Sequence, residues 1–402
     1  IVKSPHICVG FFFNFALMNL ILFDNNRENY YPLSFTRPIA EFRIGILTIK
    51  EKWEKYYKSV SIKTEDYLAV KFPIKQTKDN LWVSAKVLPT KTLITELESL
   101  RVGEVLEKKG SIIAFRSAVF DSDKLNRITT HIEVDTLGNL WDIFKDNDRE
   151  IKRDFSLLTK GRKSQSLTEN NTGLGKDIFI EKGAKVSCSI LNAESGPIYI
   201  GKNAEVMEGS IIRGPFAMGE SAVLKMGAKI YGATTLGPYC KVGGEVNNSV
   251  FFGYSSKAHD GFLGNSVIGE WCNLGADTNN SNLKNNYAQV KLWNYQTERF
   301  KNTELQFCGL IMGDHSKCGI NTMFNTGTIV GVSANIFGSG FPRNFIPSFN
   351  WGGAAGFSVY KLPKAFEVAE KVFGRRKLSF DKVEQDILTQ VYNMTKRYRN
   401  EL

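Results

Sequence analysis

The chain holds four histidines among 402 residues, and one of them, His259, stands where a general base would be expected. A neutral imidazole is the side chain best matched to accept a proton near neutral pH. His259 is the fourth residue of a six-residue unit and borders a two-residue offset in a repeat, where a regular coil must be locally irregular. His315 is the other histidine of the same region, and His6 falls in the first 17 residues. A second set of reactive types comes after the first apolar strand: Arg27, Arg37 and Arg43. A guanidinium grips phosphate oxygens bidentately, so these three are the candidate phosphate-binding residues. The alternative is a docked α/β domain in which the same arginines make salt bridges. No residues are assigned to a metal. The six cysteines, at 8, 188, 240, 272, 308 and 318, form no CxxC pair, which fits a reducing cytoplasm.

The repeat is the element that must position His259. One residue in six is apolar from Ile200 through Val206, Ile212, Met218, Leu224, Ile230, Leu236 and Val242, and the fifth place of each hexad is mostly small. A period of six matches neither the 3.6 of an α-helix nor the 2 of a half-buried strand; it is that of a left-handed parallel β-helix, each hexad forming one face of a triangular coil. The pattern resumes at Val250, Ser256, Phe262, Ile268 and Leu274, and again from Met312 to Ile336. Residues 279–310 between these runs are too polar and aperiodic to continue the coil and are expected to leave it as a loop. Trp271, Trp293, Tyr295, Phe300 and Phe307 crowd that insertion and its flank, and are read as a satellite core.

Ahead of the rod, residues 18–160 alternate strand-like and helix-like pieces, implying an α/β domain of Rossmann-like type with a mostly parallel sheet. Strands are expected at Asn19–Phe23, Leu68–Val70 and Leu81–Val83, and helices at Ile44–Tyr57 and Thr90–Leu100. Residues 161–176 read as a polar linker, 177–353 as the β-helix beginning near Asp177, and 354–402 as a tail of two amphipathic helices that cap or pack along the rod. Residues 1–17 are read as translated upstream sequence and not as an export signal, with Met18 a natural start. No stretch reaches the ~20 apolar residues of a spanning helix, so no membrane partner is expected. The net charge of +11 favours acidic small molecules, and without a basic run interleaved with aromatics nucleic acid is not expected.

Two resemblances add to this. Arg27, Pro32-Leu-Ser34 and Arg37-Pro38 match parts of the loop after the first strand in the sugar-phosphate nucleotidyltransferases, although Asp24, Asn25 and Asn26 replace its glycines. Lys257-Ala-His-Asp-Gly-Phe-Leu-Gly264 and the adjoining Ile268-Gly-Glu-Trp-Cys-Asn-Leu-Gly-Ala-Asp-Thr278 resemble the acetyltransferase half of the bifunctional N-acetylglucosamine-1-phosphate uridyltransferase and glucosamine-1-phosphate N-acetyltransferase family. The whole is similar to the divergent form of that family in the Bacteroidetes group. The resemblance implies a catalytic His259, with Asn273 and Asn282 on substrate-binding asparagines. Phe262 replaces a substrate-site tyrosine, Asn247 stands in place of a substrate-gripping lysine, and Lys229 stands in for a phosphate-binding arginine. Arg343, in the irregular stretch 337–353, is a candidate grip on coenzyme A phosphates. The resemblance further implies acetyl transfer from acetyl-CoA to glucosamine 1-phosphate, nucleotidyl transfer from UTP with Mg2+ to give UDP-N-acetylglucosamine, and a cytoplasmic homotrimer. Three alternatives remain: an acyltransferase with a non-catalytic sugar-nucleotide-binding front domain, a nucleotidyltransferase of another base such as a thymidylyltransferase, and a catalytically silent trimeric assembly protein.

Overall fold

The computed structural model of the chain describes residues 18–399; residues 1–17, with His6, Cys8 and the possible leader, lie outside it. The front domain is one six-stranded sheet built from β1 (Asn19–Phe23), β2 (Ser59–Lys63), β3 (Asn80–Ser84), β4 (Glu104–Lys108), β5 (Ser111–Ser117) and β6 (Asn126–Thr129). The strand order is β2-β1-β3-β5-β4-β6. β1 is buried on both sides and pairs in parallel with β2 and β3, whereas β5 runs antiparallel to β3 and β4. The expected strand at Leu68–Val70 is instead the end of helix α2 (Asp66–Ala69) and its cap. Of the expected helix at Ile44–Tyr57 only α1 (Ile49–Trp53) forms, because Thr48 and Glu51 close a reciprocal capping box there. The residues before it run toward the rod, where Gly45 O accepts a hydrogen bond from Thr235 Oγ1 at 2.9 Å. Helices α3 (Lys91–Ser99), α4 (Asp142–Lys145) and α5 (Asn147–Thr159) complete the domain.

The rod is a left-handed parallel β-helix with three faces. Its first face begins with Thr172–Leu174, inside the segment expected to be a linker, because that strand pairs with Ile190–Asn192. The second face carries nine strands, and the third carries ten, ending in the hairpin Asn350–Gly353 and Gly356–Val359. Inward columns match the hexad reading over Ile212, Ile230, Met218, Leu236, Leu224 and Val242, all fully or almost fully buried.

After Val242 the register departs from expectation. The inward residues are Phe251, Lys257 and Leu263, one position later than Val250, Ser256 and Phe262. The cause is a shortening spread over several corners: Val246 comes four residues after Val242, and Phe251 five after Val246. Because Val250 and Phe251 are both apolar, hydrophobicity alone does not distinguish the two registers.

The front domain docks on the second face of the rod. Helix α5 lays Ile151, Phe155 and Leu158 against Phe179, Tyr199, Ala217 and Ala233. Helices α6 (Leu362–Gly374) and α7 (Lys382–Met394) pack along a corner of the rod. There Phe373 stacks on Trp271 at 4.0 Å, and Glu384 of α7 reaches Lys71 next to α2 at 2.5 Å. The insertion forms a hairpin, Lys291–Asn294 with Arg299–Asn302. Tyr295 at its turn lies edge-on to Phe35 and Tyr31 of the front domain, and Trp293 stacks on Phe345. Trp271 instead belongs to the stack with Phe373, and Phe300 and Phe307 are exposed, so only part of the expected aromatic cluster forms a satellite core.

Candidate active site

His259 occupies the corner between Ser256–Lys257 on the third face and Phe262–Gly264 on the first. This corner spans two more residues than the one beneath it at Gly243-Gly244, so its backbone rides over Gly244 and carries the imidazole outward. A Cβ placed on Gly244 would lie 2.9 Å from His259 O, which is why only glycine fits below it. His259 and Asp260 lie toward solvent, and no hydrogen bond holds the imidazole among the described residues. The corner is held from inside. Lys257 is 1% exposed, and its Nζ donates to the carbonyls of His259 (2.9 Å) and Gly243 (3.1 Å). Burial pushes this ammonium down from 10.5 to about 8.

Immediately past the corner, three of the expected substrate residues converge on the first face. Asn247 is in register with Gly264, and a Cβ at Gly264 would fall 2.5 Å from Asn282 Nδ2 and 2.6 Å from Phe262 Cζ. Asn282 is oriented by a hydrogen bond to Asn265 Oδ1 at 2.8 Å. Lys229 lies on the same face two strands before, in the column of Glu245 and Phe262. At one strand per 4.7–4.9 Å it stands roughly 10 Å from Phe262. Asn273 does not join this group: it points outward from the third face, in register with Ser256 and Lys317. Arg343 is exposed in the loop between Ile336 and Phe345, away from the corner in sequence and in coil. His315 is buried in an aromatic stack with Trp271 and Phe373, and burial holds it well below the usual imidazole range.

The three arginines of the front domain are placed in its own packing. Arg37 is sealed between Asp314 and Glu270 of the rod, with Glu270 at 2.9 Å, and Thr36 also donates to Asp314. Arg43 donates to Phe252 O of the rod at 3.1 Å and lies 3.5 Å from Glu51. Arg27 lies against Asp24 at 3.2 Å, is 5% exposed, and keeps its Nη1 without a hydrogen-bond partner. Arg37 and Arg43, expected to bind phosphate, are thus engaged at the joint: the loop after β1 folds back onto the rod, where Arg37 neutralises two carboxylates and Arg43 caps the carbonyl of Phe252. Among the described residues no three His, Cys, Asp or Glu side chains gather to hold a metal. Asp24, the carboxylate at the end of β1, already accepts from Thr64 and the Ile39 amide. Both oxygens of Asp24 are thus engaged by the fold.

Residues 20–163 match the sugar nucleotidyl transferase family model. That stretch coincides with the front sheet and its helices. No curated protein matches the chain. Among solved structures the chain is similar to a variant of AntD, an N-acyltransferase from Bacillus cereus in complex with dTDP and coenzyme A. Identity there is 14% over 53% of this chain and 100% of that one, with a TM-score of 0.23. AntD with dTDP and 3-hydroxybutyryl-CoA gives 13% over 52% and 91%, at a TM-score of 0.21. The acetyltransferase domain of PglB from Neisseria gonorrhoeae gives 13% over 80% and 97%, at 0.13. Likenesses this distant bear no weight for the chemistry of the chain.

Sequence reasoning missed the inward turn of Lys257, because the offset reading gave that inward place to Ser256. It also missed a cationic set on the third face, Lys241 and Lys317 with Arg375 and Arg376. The outward phase of Lys241 and the Arg375-Arg-Lys377 run were the available signals.

Proposed function

We propose that the rod transfers an acyl group from acetyl-CoA to the amine of glucosamine 1-phosphate, with His259 as general base. The observation that carries this reading is the geometry of the corner. A solvent-facing imidazole stands on a backbone clamped by buried Lys257, beside a face where Asn247, Phe262 and Asn282 converge. As the neutral amine nitrogen attacks the thioester carbon, a C–N bond forms and the C–S bond breaks. The proton leaving nitrogen passes to the imidazole and from there to the departing thiolate. Asn282 and Asn247 offer amides that can orient a sugar hydroxyl or phosphate, and Phe262 an apolar wall for the ring. Lys229 is far enough along the same face to meet the phosphate end, although it lies 3.8 Å from Glu245 in the unliganded chain. The reading includes a homotrimer in which a neighbouring rod would complete the acetyl-CoA site, Arg343 contributing to it.

A second activity, nucleotidyl transfer from UTP to the acetylated product, is supported by the family match over residues 20–163. Arg27, which unlike Arg37 and Arg43 makes no polar contact with the rod among the described residues and keeps Nε and Nη1 without hydrogen-bond partners, is the phosphate ligand this reading names. Incubation with glucosamine 1-phosphate, acetyl-CoA, UTP and Mg2+, monitoring free thiol and pyrophosphate separately, tests the two together. In His259→Ala thiol release should fall by ~10²–10⁴-fold with an unchanged unfolding midpoint. Near-normal thiol release from that variant overturns the assignment.

A further inference from the structure

The third face of the rod and the end of helix α6 enclose a cavity of about 380 Å³. Its floor is an outward column in strand register, Lys241, Ser256, Asn273 and Lys317, so the two lysines stand three strands apart. At 4.7–4.9 Å per strand that is roughly 14 Å. Arg375 and Arg376 close the other side. No aspartate or glutamate lines the cavity.

The charge here is handled unlike charge elsewhere in the chain. Buried Lys52 has both Glu150 (3.0 Å) and Asp154 (2.6 Å), and buried Arg37 has Asp314 and Glu270. Two cations of the groove instead meet neutral partners: Lys317 Nζ donates to His315 O at 2.9 Å, and Arg376 to Tyr239 O at 3.0 Å. Partial desolvation by the groove wall, and then the neighbouring charges of Arg376, Lys225 and Arg375, hold the Lys241 ammonium below its ordinary range although the residue as a whole is exposed. Burial does the same to Lys317. Like charges held together without a counter-charge repel, and an anion entering the groove relieves that repulsion. The volume exceeds what one phosphate fills and lies in the range of small-molecule sites. Tyr254 and Trp271 supply the apolar wall such a site needs beside its charges.

We propose that this groove binds a nucleotide-sized ligand, Lys241 with Arg375 and Arg376 holding its phosphates and Lys317 with Asn273 its far polar end. Binding of a nucleoside diphosphate here stands independently of the role given to His259, whereas binding of a thioester's nucleotide handle rests on the proposed acyl transfer; Ser256 on the floor is three residues before that corner. Such a ligand can be a free nucleoside diphosphate or the bisphosphorylated nucleotide handle of an acyl thioester.

Calorimetric titration of the full chain at low salt with UDP, adenosine 3′,5′-bisphosphate and pyrophosphate tests the proposal and separates the two sources. Lys241 and Arg375 are exposed, so Lys241→Ala and Arg375→Ala should keep the unfolding midpoint. Each should weaken whichever organic ligand binds by about tenfold, the loss expected for one charge-assisted contact of ~1.4 kcal/mol. Lys202→Ala, on an exposed turn of a coil nearer the start of the rod, should change nothing. Binding of either organic ligand with that pattern supports the site and names its source. The proposal is overturned if neither organic ligand binds below about 1 mM, if Lys241→Ala and Arg375→Ala bind as wild type does, or if pyrophosphate alone binds. In those cases the two arginines serve only the end of α6.

Discussion

Replacing Lys257 by methionine separates the electrostatic cost of the corner from its geometry. The side chain is 1% exposed within the inward column of Val242 and Leu274, and methionine keeps most of its volume. Burial is the largest cause of the drop from 10.5 to about 8, partly opposed by Asp260. At about 1.4 kcal/mol per unit, the ammonium costs the folded chain about 3 kcal/mol wherever both states would otherwise be protonated. The sign comes from proton counting. Between pH 8 and 10.5 the unfolded chain binds the proton and the folded chain does not, so this group's contribution to stability rises with pH across that window. Below about pH 8 the penalty is present in full. Methionine removes it but leaves Gly243 O and His259 O without a donor, at about 1 kcal/mol each. Near pH 7 the variant should therefore be close to wild type in stability or slightly above it. Wild type should then gain by about 3 kcal/mol relative to the variant by the alkaline end of the window. Urea unfolding of both proteins at several values between pH 7 and 10.5 measures this, since the buried tyrosines and the cysteines other than Cys318, whose thiol feels the Lys257 charge, titrate alike in both and cancel in the difference. A difference that stays flat with pH refutes the reasoning. Acyl transfer by the variant should fall even where stability does not, because the carbonyl of His259 is no longer clamped.

Arg37→Ala should destabilise the whole chain by about 3–5 kcal/mol, since it strands Asp314 and Glu270 at the joint between front domain and rod; a denaturant midpoint within error of wild type would contradict the joint. Ile230→Ala removes a side chain 1% exposed from the inward stack and should cost about 2–5 kcal/mol by thermal melting.

Much of this molecule was legible without coordinates. The six-residue period specified the solenoid and most of its inward residues, because each coil must stack an apolar side chain on the one below and therefore repeats its pattern locally in the chain. The alternation ahead of it specified a layered α/β domain. Three things came only from tertiary structure. The register after Val242 depends on which corners lost residues, and adjacent apolar side chains hide that from any periodicity. The arginines after β1 look like phosphate ligands when read as a loop, yet Arg37 and Arg43 meet a carboxylate or carbonyls more than 200 positions away in the chain. The grouping of the site itself, Asn247, Phe262 and Asn282 on one face with Asn273 on another beside Lys241 and Arg376, comes from coil winding and helix docking. A residue's chemistry is local and can be read from its type, but its partners are set by long-range closure, and closure decides whether a charge is free to bind or is spent on the fold.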